Sequence, residues 1–264
     1  MTDNPNKGAA FFVGYRPMPA ALTRWYRSLA VLLIAASGLG GYWLGAQQAG
    51  AGPGDWDTTA TVTAQGVLML RPYPALHRLN PAHPGGVESL LLVRQGKHSA
   101  DSWARDFDRQ WVSVRGYPVT RGRWTMLEIP GEDAISAAPD SGTENLSGHR
   151  RQLRELLEIA PLGAAELAGE IVDSKCFLGV MKPGAGPLHK ACAELCLRGG
   201  IPPILVAKDA QGQQLGYLLA HADGASASVA LAQFAADPVR VTGQLQRQGG
   251  LLLLRVDEDG VRRR

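Results

Sequence analysis

Much of the usual vocabulary of catalysis is missing from this sequence. It holds no H-E-x-x-H, no G-x-S-x-G and no G-x-x-x-x-G-K. The motif-bearing zinc proteases, the nucleophile-elbow hydrolases and the P-loop nucleotide binders are thereby set aside. There is no C-x-x-C, which ranks a thiol–disulfide oxidoreductase low, and no C-x-x-C-H, so covalent c-type haem is not indicated. Charge of one sign is scarce too. The formal net charge is +3, and the run Arg262, Arg263, Arg264 reads as a solvated tail. Nucleic acid is therefore not an expected partner. Cysteine is rare, with 3 in the chain. An odd count in an oxidising compartment leaves one thiol unpaired, or commits all three to something other than each other.

Turn formers are plentiful: the 32 glycines and 17 prolines point to many turns and short strands. Before them stands a different kind of segment. Residues 1–28 carry Lys7, Arg16, Arg24 and Arg27 against one acid, Asp3. Leu29–Ala46 follows without a charge, about 18 residues, which at 1.5 Å per residue nearly spans a bilayer core. Trp25 and Tyr26 at one edge and Tyr42 and Trp43 near the other suit the two interfaces. The positive flank predicts residues 1–28 in the cytoplasm, a single transmembrane helix over 29–46, and everything later in the periplasm of a bacterial inner membrane. A cleaved signal peptide is the competing reading, with Ala49-Gly50-Ala51 as its cleavage site; the long segment before the apolar run argues for the anchor. Ser37, Gly41 and Gly45 offer a small-residue face for another membrane helix. Residues 47–57 read as a linker.

From residue 58 the pattern alternates as strands do. A first β unit, 58–130, is expected to hold strands at 59–65, 67–70 and 87–94, a Pro-rich loop at 71–86 and a short helix at 101–110. A hairpin of 111–117 and 123–129 closes it. His77, His83 and His98 fall in its loops and read as surface residues; Arg105, Arg109, Arg115, Arg121 and Arg123 make it basic. Residues 131–149 have linker composition, and Arg150–Ile159 reads as a helix leading into a second unit, 150–262. Strands are expected there at 166–173, 203–207, 215–219, 239–245 and 251–256, with a helix at 228–235. At one constant offset Phe107 falls on Phe234, Val112 on Val239, Val114 on Val241, Gly116 on Gly243, Gly122 on Gly249, Met126 on Leu253 and Ile129 on Val256. This reads as a tandem duplication. The expected fold is mainly β: one N-terminal transmembrane helix, then two tandem OB-like small β-barrels with short helices. A six-stranded sandwich or barrel is the structural alternative.

The second unit carries the densest chemistry. His189-x2-Cys192-x3-Cys196 puts three side chains on one face of a short helix that Gly199-Gly200 ends. Cys176 arrives from a strand end, so a Cys3His set of Cys176, His189, Cys192 and Cys196 can surround one point. Such a set suits tetrahedral Zn²⁺. It also suits Cu⁺, to which Met181 could add a thioether. Asp173 and Lys175 flank the site and either tune it or serve as plain surface. A stapling disulfide of Cys176 with Cys192 or Cys196 stands beside the metal reading. In it the protein is a structural assembly factor whose first barrel docks a partner. The metal or redox reading makes it a membrane-anchored periplasmic accessory or binding protein, more a binding module than an enzyme, serving a membrane redox or metalloprotein complex.

The long block GEIVDSKC…H-x-x-C-A-x-x-C…GGIPP, from Gly169 to Pro203, resembles an uncharacterised family of bacterial membrane-anchored proteins. Members often carry an N-terminal FFVGY segment, here Phe11–Tyr15. Shorter secreted proteins with a D-x-K-C…H-x-x-C-A-x-x-C…G-x-P block are similar to the second unit alone. The resemblance covers residues 166–257 well, the N-terminus in part and the first unit weakly. It implies a shared site at Cys176, His189, Cys192 and Cys196, and no particular reaction.

Overall fold

A computed structural model describes residues 20–47, 54–83, 85–138, 146–208 and 212–264. The FFVGY segment, the N-terminal segment up to residue 19, most of the 47–57 linker and residues 139–145 lie outside these. The chain divides into two units, Met1–Ala49 and Gly50–Arg264. The described part of the first is one helix, α1 (Ala20–Gln47), longer than the uncharged run because residues 20–28 and Gln47 join it. Its stretch Leu22–Leu44 is long and apolar enough to cross a membrane. Val31, Leu32, Ile34 and Leu39 stand exposed along it, where a soluble helix would bury a stripe.

In the second unit β1 (Asp55–Trp56), β2 (Val62–Met69), β3 (Ala75–Leu79) and β4 (Val87–Arg94) lead to a short helix, α2 (Asp101–Ala104), which tightens into a 3₁₀ turn at Arg105–Phe107. Then come β5 (Trp111–Arg121), β6 (Trp124–Ile129) and β7 (Ile135–Ala137). β2–β3 and β3–β4 pair antiparallel and β4–β6 pair parallel. β5 pairs with both β2 and β6, joining the ends of that path, while β1 and β7 add to β5. After α3 (Leu146–Leu156) the pattern recurs. β8 (Ala160–Asp173), α4 (Lys190–Arg198), β9 (Pro203–Lys208), β10 (Gln214–His221), α5 (Ser228–Leu231), β11 (Pro238–Gln248) and β12 (Leu251–Arg263) follow. Their strands close a five-stranded barrel in the order β10-β12-β11-β8-β9. The residues aligned by the constant offset occupy matching places. Phe107 and Phe234 end matching 3₁₀ turns, and Gly122 and Gly249 make the matching hairpin turns with φ of 59° and 56°, where a side chain would be strained.

Alternation along the strands builds three cores. Leu90 and Leu92 of β4 face the inside of the first sheet, with Leu68, Val112 and Ile129. Leu205 of β9 and Leu254 of β12 face the inside of the barrel, with Ile171 and Val241. The intervening residues go the other way: Leu91 and Val93 from the sheet meet Val172, Ile204, Leu218, Leu251 and Leu253 from the barrel in a third core. Every second side chain points to the opposite face of a strand, so both faces of these strands must be apolar. That is why β4 is buried without a break from Val87 to Val93 and its second half reads L-L-L-V rather than a clean alternation.

Several expectations are corrected. The Pro-rich loop at 71–86 contains β3, a strand that Pro72, Pro74 and Pro81 disguise. His77 lies on it, buried, with Nδ1 2.8 Å from Ser89 Oγ, and is not a surface residue. The linker expected from residue 131 begins with a 3₁₀ turn and β7, paired to β5. β8 starts at Ala160 rather than Glu166; the residues ahead of Glu166 are Pro, Gly and Ala around one exposed Leu162, with no alternation to read. Arg262 and Arg263 are strand residues opposite Arg240 and Val239, and Arg263 Nε reaches Asp237 Oδ2 at 2.8 Å. They are not a solvated tail.

Candidate metal centre

The connection from β8 to β9 carries the site. At its start the buried Asp173 accepts the Cys176 N–H on Oδ1 at 2.8 Å, which fixes the turn Cys176–Val180 against the strand end. At its far end Pro187–His189 forms a 3₁₀ turn that runs into α4. Cys192 and Cys196 are one helical turn apart on α4 and face back toward Cys176. The helix ends as its sequence predicts: Gly199 N–H donates to Leu195 O, Gly200 N–H to Leu197 O and Ile201 N–H to Cys196 O.

Cys176 Sγ and Cys192 Sγ are 4.0 Å apart, all three thiols are free, and the three sulfurs lie within 4.8 Å of one another. Cys176 and Cys196 are buried; Cys192 is half-buried. Met181 Sδ stands 3.5 Å from Cys192 Sγ. His189 belongs to a second, overlapping group with Asp173 and Cys176. Its Nε2 is 3.0 Å from Asp173 Oδ2, with both side chains buried. The four expected ligands thus gather as two triads that share Cys176. Asp173 is an interior member of one triad, where a flanking role was expected.

Lys175 turns away from the sulfurs. Its ammonium lies 3.1 Å from Glu128 Oε2 and donates to the carbonyls of Arg94, at the end of β4, and Gly96, in the loop after it. The first sheet answers with a lysine of its own. Lys97, in the loop between β4 and α2, donates to Cys192 Sγ at 2.8 Å and to Cys196 Sγ at 3.4 Å. That loop lies so close to the end of α4 that a Cβ on Gly199 would sit 1.6 Å from the Lys97 carbonyl oxygen, so only glycine fits there. Lys97 escaped the sequence reading because nothing in its spacing ties it to the cysteines; the fold alone brings it there. Arg121 also reaches across, donating to Phe177 O at 2.7 Å and covering the Phe177 ring.

The thiols divide their protons unequally. The hydrogen bond from Cys176 outweighs burial and the Asp173 charge at Cys196, and with help from Lys97 brings its pKa down to about 7. Donating that bond pushes Cys176 up, and burial and the Asp173 carboxylate push it further. Burial works against the Lys97 ammonium, but its hydrogen bond to Cys192 and the charges of Cys196 and Cys192 together hold its pKa up.

No protein-family model, no curated protein and no solved structure matches this chain. The chemistry of the site is therefore read from its donors. Three sulfurs converging at one point, with a cation against two of them, make a nest for an anionic metal–thiolate complex or for thiol exchange.

Proposed function

We propose that the protein is a membrane-anchored binding protein whose Cys176, Cys192 and Cys196 hold one soft metal ion, Zn²⁺ or Cu⁺, at the seam between two OB-like barrels. The spacing of the sulfurs carries this reading. Two thiolates on one ion, at about 2.3 Å each, stand roughly 3.8 to 4.0 Å apart, against about 2.05 Å in a disulfide. Cys176 and Cys192 are at 4.0 Å, within the first range. Lys97 offsets the negative charge that three thiolates leave around a cation. The Asp173–His189 pair resembles the carboxylate–histidine couples that orient metal ligands, and a hydrogen on Nε2 would leave Nδ1 as the donor atom. The OB-like assignment is supported by the strand path: in both halves the first strand pairs with the second and the fourth, and the third runs parallel to the fifth.

The anchor is α1, and the basic Arg24 and Arg27 ahead of the apolar run support a periplasmic site in a bacterial inner membrane. There the protein would serve a membrane redox or metalloprotein complex, as a member of the family its GEIVDSKC block resembles. Protease added outside spheroplasts should digest the β region; full protection would reverse the orientation.

The test of the site is a paired count on the full chain, purified anaerobically in detergent: free thiols under denaturing conditions, and bound metal. Three thiols with one equivalent of zinc or copper is the expected result. One thiol and no metal would replace this reading with the disulfide staple. A thiol count that changes reversibly with redox poise would make the protein an oxidoreductase.

A further inference from the structure

Four sulfur atoms meet at this site, and the fourth is not a cysteine. Met181 follows the turn Cys176–Val180 in an extended conformation, φ −132° and ψ 151°, and its thioether comes 3.5 Å from Cys192 Sγ. Burial separates the sulfurs into two pairs. Cys176 and Cys196 are 3% and 1% exposed, whereas Met181 is 44% exposed and Cys192 half-buried beside it. The Asp173 carboxylate and His189 Nε2 are engaged with one another. Asp173 spends both its oxygens on Cys176 N–H and His189 Nε2, and His189 groups with Asp173 and Cys176 rather than with the three sulfurs. An ion among the cysteines therefore finds a shell of sulfur, open on the side where Met181 stands.

A thioether is a poor donor to Zn²⁺, which takes thiolate, imidazole and carboxylate, and a good one to Cu⁺. Resting on the metal reading above, we infer that the ion is monovalent copper and that Met181 is its specificity-determining ligand, completing a shell of three thiolates and one thioether. Copper stays at +1 on binding: the thioether and thiolates supply lone pairs, and no electron is transferred. Met181 brings no charge to the site, so it discriminates between ions by softness alone. His189 then acts as a positioning residue, through the Asp173 carboxylate that accepts the Cys176 N–H.

The experiment uses the full chain in detergent under anaerobic, reducing conditions. Cu⁺ and Zn²⁺ are titrated separately against chromophoric chelators, and the shell is read by X-ray absorption at the copper edge. The unsubstituted chain should bind one Cu⁺ with sulfur alone around it. Met181→Leu should weaken Cu⁺ by about tenfold and remove one sulfur from the shell. Met181→His should put a nitrogen in its place and move the preference toward Zn²⁺. Copper held as tightly by Met181→Leu, or a nitrogen in the shell of the unsubstituted chain, overturns the inference and leaves the metal site standing. So does a chain that takes up zinc and refuses Cu⁺. A chain that takes up neither ion brings down the metal reading itself.

Discussion

The first sheet and the barrel follow the same strand order and differ most in the connection between their first two strands. In the first sheet that connection is short, Leu70–Pro74, and its chief feature is Tyr73. The Tyr73 hydroxyl donates to Leu219 O of the barrel's β10 at 2.7 Å and accepts from Ala227 N–H of the β10–α5 loop at 2.9 Å. In the barrel the matching connection is the long block from Ser174 to Pro202, and it rests on the first sheet's β4–α2 loop, where Lys97 waits. Each half thus leans on the equivalent loop of the other. One lean is closed by a tyrosine and the other by the cluster of Cys176, Cys192 and Cys196. The same scaffold position can serve as a plain fastener or as chemistry, according to what is inserted into it.

The difference can be broken at graded cost. Lys175→Met should have the largest effect, because it strands the Glu128 carboxylate in a site where both side chains are 4% exposed. A loss of about 3–5 kcal/mol in urea unfolding is expected, with much of it recovered by adding Glu128→Leu. A single substitution that costs less than 1 kcal/mol would show that the two halves are not fastened there. Next comes acid. Burial brings the His77 pKa from 6.5 down to about 4, so the unfolded chain binds the proton first. Stability tied to His77 is complete above pH 6.5, falls as the pH drops toward 4 and then levels, a loss of about 3 kcal/mol that His77→Gln should remove. Equal slopes in both proteins would assign the acid sensitivity elsewhere.

Tyr73→Phe tests the fastener directly. It leaves Leu219 O and Ala227 N–H without the hydroxyl between them and should cost about 1–3 kcal/mol. Its metal affinity should stay within about twofold, since the hydroxyl touches none of the sulfurs; a large loss would mean the two leans are coupled. Lys97→Met tests the other lean, with the smallest change in stability, under about 1 kcal/mol. Metal should bind about tenfold more weakly, because the complex loses its counter-charge. Unchanged affinity would make Lys97 a bystander.

What could be read ahead of the structure followed physical regularity. The closing hairpins showed in the alternation of Val112, Val114, Val239 and Val241, and in two glycines whose positive φ a turn demands. The cysteine block showed through helical spacing on α4. The misses have causes too. β3 has a buried histidine where an apolar residue would advertise a strand, and prolines on both sides. β7 is only three residues long, Ile135–Ala137. β8 opens on a uniformly exposed stretch that holds one large apolar residue, Leu162, and so shows no alternation. Lys97 and Glu128 act on the cysteine block from the other half of the chain, and no local pattern encodes such a meeting. The pairing of His189 with Asp173 lay within reach, since the ends of that block are tied by its own turn.

One consequence lies in the third core, where Leu91 and Val93 meet Leu218, Leu251 and Leu253. These side chains alternate with the ones that line the two interiors, so the seam is drawn from the same strands as the walls. Neither half can be removed without turning a greasy flank to water. The passage of the chain from β7 to α3 is therefore not a place to cut. A change of shape on one flank of this core calls for a matching change on the other, and Cys176 and Cys196 are themselves members of it.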